Sequence, residues 1–205
     1  KAFLEFELEE LKNRWIMALI QHGKYKDAEK VLSEIRETDT PTRTITGLKD
    51  ALCNRACIAI MKKDYTTAET LRKEADRRYH ASMNSMNFYR LNVLRNFFDS
   101  FTLVARCYER QNEIGKSLQT YREMKECLIN TLGRYIPYYT DLDRTNMLYL
   151  FQPWYDEMQT FAYRHINYEG MAEFMYGNAQ LMKQFFLVSP TLYSPKMITM
   201  QGDEY

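Results

Sequence analysis

The stretch HGKYKDAEKVL, His22 to Leu32, places a glycine two residues before a tyrosine and five before an alanine. Forty residues on, KKDYTTAETL, Lys62 to Leu71, repeats the Tyr-x-x-Ala arrangement with Ala68 standing where Ala28 stood. After Gly23 come Tyr25, Ala28, Leu32 and Ile35, the last three four and three residues apart, which is the spacing of one helix face. After Lys63 come Tyr65, Ala68, Arg72 and Ala75 at identical offsets. A third copy has Asn112 at the turn, then Ile114, Ser117, Tyr121 and Met124. A fourth is expected with Asn167 at the turn, an aromatic displaced to Tyr168, and Ala172, Tyr176 and Ala179 on the helix face.

The copies also agree upstream of the turn. Seven residues before it stand Ile16, Ala56, Ala105 and Thr160, three of them small; four before it stand Leu19, Ala59, Tyr108 and Tyr163. A small side chain lets two helices approach, and a larger one a turn later fills the gap between them, which is how a helical hairpin packs. Gly or Asn suits the turn because helices commonly end in a left-handed residue; Lys63 departs from that preference.

A small residue in the first helix, Gly-x-Tyr-x-x-Ala at the turn, and an aromatic and an alanine in the second helix resemble the tetratricopeptide repeat (TPR). The resemblance covers Leu11 to Phe186, but the small residues Ala28, Ala68, Ser117 and Ala172 are 40, 49 and 55 apart, where the regular repeat is about 34 residues. It therefore implies a degenerate TPR-like domain: an all-α, right-handed superhelical array of about four antiparallel helical hairpins, a TPR-like α-solenoid. An irregular helical bundle using alanine at its hairpin contacts is the rival. Helices are expected over 2–22, 25–38, 43–62, 65–80, 84–111, 113–132, 141–165 and 168–187, with Pro153 starting or kinking a segment. The repeat domain spans 1–187. Residues 188–205, with two prolines and no helical period, read as an extended tail or a linker to a following domain.

Composition narrows the function. Seven Gly and five Pro in 205 residues leave few turn signals for strands. Lys plus Arg number 28 against 27 Asp plus Glu, so no single-sign field recruits nucleic acid or an anionic membrane surface, and no nucleic acid is expected to be contacted directly. No apolar run approaches the roughly 20 residues that span a bilayer. Four cysteines in a chain of this size suggest reduced thiols and a cytoplasmic setting.

Enzyme signatures fail one by one. Asp141 and Asp143 resemble the start of a calcium loop, but Asn146 stands where glycine is needed and Gln152 where the bidentate glutamate is needed. Cys53 and Cys57 share a helix face with no second pair at zinc spacing. His22, His80 and His165 fall near expected helix ends, where positive charge suits the dipole. No nucleophile elbow, phosphate loop or His-Glu-x-x-His is present. The expectation is no catalysis, no metal and no cofactor.

If the hairpins stack as in the TPR family, the first helix of each lines a concave face. Ten, six and three residues before each turn stand Asn13, Met17 and Ile20; Cys53, Cys57 and Ile60; Thr102, Arg106 and Glu109; Glu157, Phe161 and Arg164. In chaperone-binding members of that family, Lys, Arg and Asn here clamp a peptide carboxylate; Asn13 and Arg106 match in type. Arg106, able to bond a carboxylate, and Phe161, an apolar anchor, are the foremost contact candidates. The 12 Met, 16 Tyr and 11 Phe supply core and adaptable contact surface alike.

The function these features imply is a non-catalytic module binding a protein or peptide segment, with a second copy of the chain as another candidate partner (a homodimer). Degenerate arrays of this kind look similar to sensor or regulatory regions of bacterial signalling proteins, which precede an output domain; a scaffold is the rival within that class. A helical enzyme or small-ligand receptor with a closed central pocket is the alternative from another class.

Overall fold

The structure, a computed structural model, describes residues 2–35, 47–85, 90–132 and 141–186. They form eight helices: α1 (Ala2–Gln21), α2 (Tyr25–Ser33), α3 (Gly47–Met61), α4 (Tyr65–Ser85), α5 (Arg90–Arg110), α6 (Ile114–Leu132), α7 (Asp141–Arg164) and α8 (Met171–Phe186). Among the described residues there is no strand. The expected tail, 188–205, lies outside them. The chain divides into two compact units, Lys1–Thr120 and Tyr121–Tyr205.

Three turns are built alike, for a reason visible in the backbone. Gly23, Lys63 and Asn112 have φ of 74°, 63° and 59°. In each, the next residue's N–H donates back to the carbonyl five residues earlier: Lys24 to Leu19 (2.8 Å), Asp64 to Ala59 (2.9 Å) and Glu113 to Tyr108 (3.0 Å). The left-handed residue itself donates to the carbonyl three residues earlier, as Gly23 does to Ile20 at 3.0 Å. This double closure satisfies the last carbonyls of the first helix and reverses the chain within three residues. Asp64 Oδ1 then accepts from the Thr67 N–H at 3.1 Å, capping α4. Lys63 holds a left-handed conformation that costs a side-chain-bearing residue about 1–2 kcal/mol. Lys63→Gly is therefore expected to stabilise the chain by about 0.5–1 kcal/mol, net of the glycine's greater freedom when unfolded. Thermal denaturation measures this, and a lower midpoint would contradict it.

The fourth turn differs from expectation. The left-handed residue is Gly170 (φ 75°), not Asn167, and α8 begins at Met171 rather than 168. The buried face of α8 is Met171, Phe174, Asn178 and Leu181, whereas Ala172, Tyr176 and Ala179 are exposed. The left-handed residue and the helix start are three residues later than the sequence suggested and the buried positions two later; at about 100° per residue, two residues turn a helix face to its opposite side. Six residues separate α7 from α8, against three in each of the other hairpins, so the fourth turn is a longer one than its sequence indicated. Helix α7 also runs unbroken through Pro153.

In the first unit α3 is the central helix, in contact with α1, α2, α4 and α5. Its residues Ala51, Cys53, Asn54 and Ala56 through Ile60 are all buried, as expected of a helix apolar on every side. Phe97 lies stacked on Phe101 (centroids 4.3 Å) and edge-on to Tyr79 (5.3 Å) and Phe98 (5.7 Å). Beside it, the Tyr79 hydroxyl donates to Asp50 and Ser100 Oγ donates to the same carboxylate oxygen at 3.2 Å, tying α3, α4 and α5 through one buried polar cluster. In the second unit α7 packs on α8, and Tyr121 of α6 sits against Phe161 (4.8 Å) while donating to Glu157 Oε1 (3.1 Å).

Candidate interaction surfaces

The positions expected to line a concave face are mostly sealed. Asn13, Cys53, Cys57, Thr102 and Phe161 are buried, Met17, Arg106 and Glu157 are half-buried, and Arg164 is exposed. The companions Ile20 and Ile60 are buried as well. The cause lies in how the first helices meet. Helices α1 and α5 both pack on α3 and also touch one another, so the first and third hairpins close over the second. The Arg110 guanidinium clasps that closure, donating to the carbonyls of Ile20 (3.0 Å) and Gln21 (2.8 Å) and to the Tyr25 hydroxyl (3.2 Å). These carbonyls belong to the last turn of α1, where a cation is favoured. Beneath it, Asn54 Nδ2 lies 3.4 Å from both the carbonyl and Oδ1 of Asn13, a role inside the stack.

Phe161, expected as an apolar anchor, is 0% exposed and is a core residue, packed on Tyr121 and, at 5.1 Å, on His165. On the same helix Tyr163, 76% exposed, and Arg164 face solvent instead. Burial pushes the Cys53 thiol well up, helped by the Asp50 charge; burial and the neighbouring Cys107 do the same to Cys57. Neither is poised as a thiolate for a metal or a nucleophile. Among the described residues no cluster of His, Cys, Asp and Glu is placed to hold a metal ion. The stretch from Asp141 to Asn146 forms the first turns of α7 instead of a calcium loop.

A surface the sequence did not single out lies on the other side of α3. Between α2 and α4 runs a cleft of about 350 Å³. Leu32, Ile58, Ala59 and Leu71 give it an apolar floor, and Glu29, Arg55, Lys62 and Asp64 give it a rim of both signs. Lys62 Nζ meets Glu29 Oε1 at 2.5 Å across the rim, in an exposed pair whose worth is below about 1 kcal/mol. Ser33 and Thr67 complete the lining, while Ala28 and Ala68 are fully buried and outside it. One turn on from Ala68, Arg72 occupies the place held by Leu32 in the first hairpin. Its head is tied to Glu69 at 3.0 and 2.7 Å, so its stem packs inward without an unpaired charge. The offset of Arg72 from Leu32 was the one sequence sign that the two second helices are not equivalent.

Among the described residues no helix is long and apolar enough to cross a membrane. Comparison with known proteins adds a repeat assignment: the family model described as PPR repeat matches residues 13–38 and 99–127, about a quarter of the chain. No curated protein and no solved structure matches this chain. The two matched segments fall on the first hairpin and on the turn between α5 and α6, two of the three places where the same left-handed turn recurs. Repeats of this kind mediate interaction with protein or RNA. Eight helices paired about repeated turns, together with those matches, make the chain a degenerate helical-repeat domain of TPR-like kind.

Proposed function

We propose that this chain is a non-catalytic module that binds a peptide or protein segment, and that the α2–α3–α4 cleft is where it does so. The observation that carries this reading is the cleft itself: an apolar floor between two second helices, bounded by charges of both signs, suits a short segment with an apolar core and mixed flanking charge. Arg106 and Arg164, which keep accessible surface, are retained as further contacts with a carboxylate-bearing partner.

Protein is favoured over RNA on two grounds. Base readout by helical repeats uses equivalent side chains, one set per repeat, yet the equivalent Asn13, Cys53 and Thr102 are buried. Formal net charge is +1, far from the basic balance that phosphate binding draws on. In a longer protein, occupancy of the cleft would bias an output domain, the regulatory role that such arrays resemble; that role rests on architecture alone.

Selection of a random peptide library on the purified chain, followed by calorimetry, tests the reading. Selected peptides are expected to carry an apolar centre and to lose at least about tenfold in affinity to Leu71→Asp, which buries a charge in the floor. Peptides indifferent to Leu71→Asp would remove the cleft from the proposal. Salt-sensitive binding of single-stranded RNA with no peptide selected would replace protein by RNA as the partner.

A further inference from the structure

The cleft and the sealed face of the first helices lie on opposite sides of α3, and the first hairpin, α1–α2, has a helix on each side. Helix α1 packs on α3 and touches α5; α2 packs on α3 where the cleft separates it from α4. In contact with all four, α3 is the fulcrum between them. Drawing α1 onto α5 tilts the first hairpin about α3 and carries α2 away from α4. Releasing α1 lets α2 swing back over the floor at Ile58 and Ala59.

What holds α1 to α5 is a clasp and not a core. Their contact is slighter than those α1 makes with α2 and α3, and one guanidinium supplies its bonds. Arg110 donates to the carbonyls of Ile20 and Gln21 and to the Tyr25 hydroxyl, and all three acceptors belong to the first hairpin. The face it closes is partly polar. Asn13 and Asn54 are buried, yet the Asn54 amide reaches Asn13 only at 3.4 Å, and the buried Thr102 hydroxyl has no hydrogen-bond partner. Polar groups bonded this poorly oppose burial, so the clasp holds the closed state against a cost. Burial and the neighbouring Cys107 raise the Cys57 thiol while the Arg110 charge acts the other way, so the clasp lies within electrostatic reach of that thiol. We propose that Arg110 is a latch that regulates the cleft: closed, it rocks the first hairpin back on α3 and holds the cleft open; released, it lets α2 close on α4 and shuts it. That the cleft takes a peptide rests on the function proposed above; the rocking does not. A ligand that needs the open cleft favours the closed latch, and by reciprocity the latch favours the ligand.

Two measurements on the purified chain need no ligand. Arg110→Met keeps the aliphatic stem and removes the donors. Modification of Cys57 by a water-soluble thiol reagent, followed by mass spectrometry, is expected to quicken at least about tenfold in this variant. Tyr25→Phe, which removes one acceptor of the three, should quicken it less. Cys127, buried in the second unit, should keep its rate. Across the cleft, a chain with Ser33→Cys on α2 and Thr67→Cys on α4 should form the linking disulfide at least about tenfold faster under mild oxidation when Arg110→Met is also present. In a third measurement, a peptide selected on the unaltered chain and shown to need Leu71 should bind the Arg110→Met chain at least about tenfold more weakly. Unchanged modification of Cys57, equal quickening at Cys127, or an unchanged rate of linking would each overturn the latch. A Leu71-dependent peptide indifferent to Arg110→Met would overturn its control of the cleft. Failure to select any peptide would overturn the function proposed above and leave the latch to be decided by the first two measurements.

Discussion

Replacing Phe97 by alanine is expected to lower the stability of the chain by about 3–5 kcal/mol, the largest effect of any single truncation here. The ring is wholly buried and lies at the centre of an aromatic group from α4 and α5, stacked on Phe101 and met edge-on by Tyr79 and Phe98. Its removal loses the transfer free energy of a large side chain and leaves a cavity walled by other rings, which are rigid and cannot collapse into it. Urea denaturation followed by circular dichroism measures the loss. A change under about 1 kcal/mol would mean that α5 repacks freely and that the aromatic group is not a fixed core. Phe97→Leu, which keeps most of the volume, should cost markedly less.

Asp50→Ala is expected to cost about 2–4 kcal/mol. Its carboxylate accepts from the Tyr79 hydroxyl and from Ser100, and all three groups are nearly inaccessible to water. Removing the acceptor strands two buried donors, each worth roughly 1–3 kcal/mol when unsatisfied. They recover part of that by bonding each other, since their oxygens are already 3.3 Å apart. A triple mutant compared with its three single changes separates this account from simple loss of volume. Asp50→Ala combined with Tyr79→Phe and Ser100→Ala should be less damaging than the sum of the three single changes, because no donor is then left orphaned. Strict additivity would show that the cluster is not a unit. The Tyr79 phenol is held well above its usual range by burial and by the Asp50 charge, so at neutral pH it is a donor.

Much of the local architecture was legible before any coordinates. The turns at Gly23, Lys63 and Asn112, the small residues Ala28, Ala68 and Ser117 behind them, and the helices on either side follow from short-range rules: a left-handed residue closes a helix, and a three-four spacing makes a face. Even Lys63, which broke the Gly/Asn preference, adopts the expected conformation because the helices it joins dictate it. The fourth turn was misplaced by three residues because Asn167 and Gly170 both satisfy the local rule, and only packing of Met171, Phe174 and Leu181 chooses between them.

The tertiary structure alone decided which faces are open. A helix's own sequence says which side is apolar, not whether that side meets another helix or solvent. The expected concave lining at Cys53, Cys57 and Thr102 is sealed because α1 and α5 meet over α3 and Arg110 locks them, a contact between residues about ninety apart in the chain. The cleft between α2 and α4 is formed by Leu32, Ile58, Ala59 and Leu71, brought together from three helices across some forty residues of chain. Hairpins come from neighbours in sequence, through hydrogen bonds that span a few residues; grooves come from which hairpins touch, and that is settled by long-range packing that no local pattern encodes.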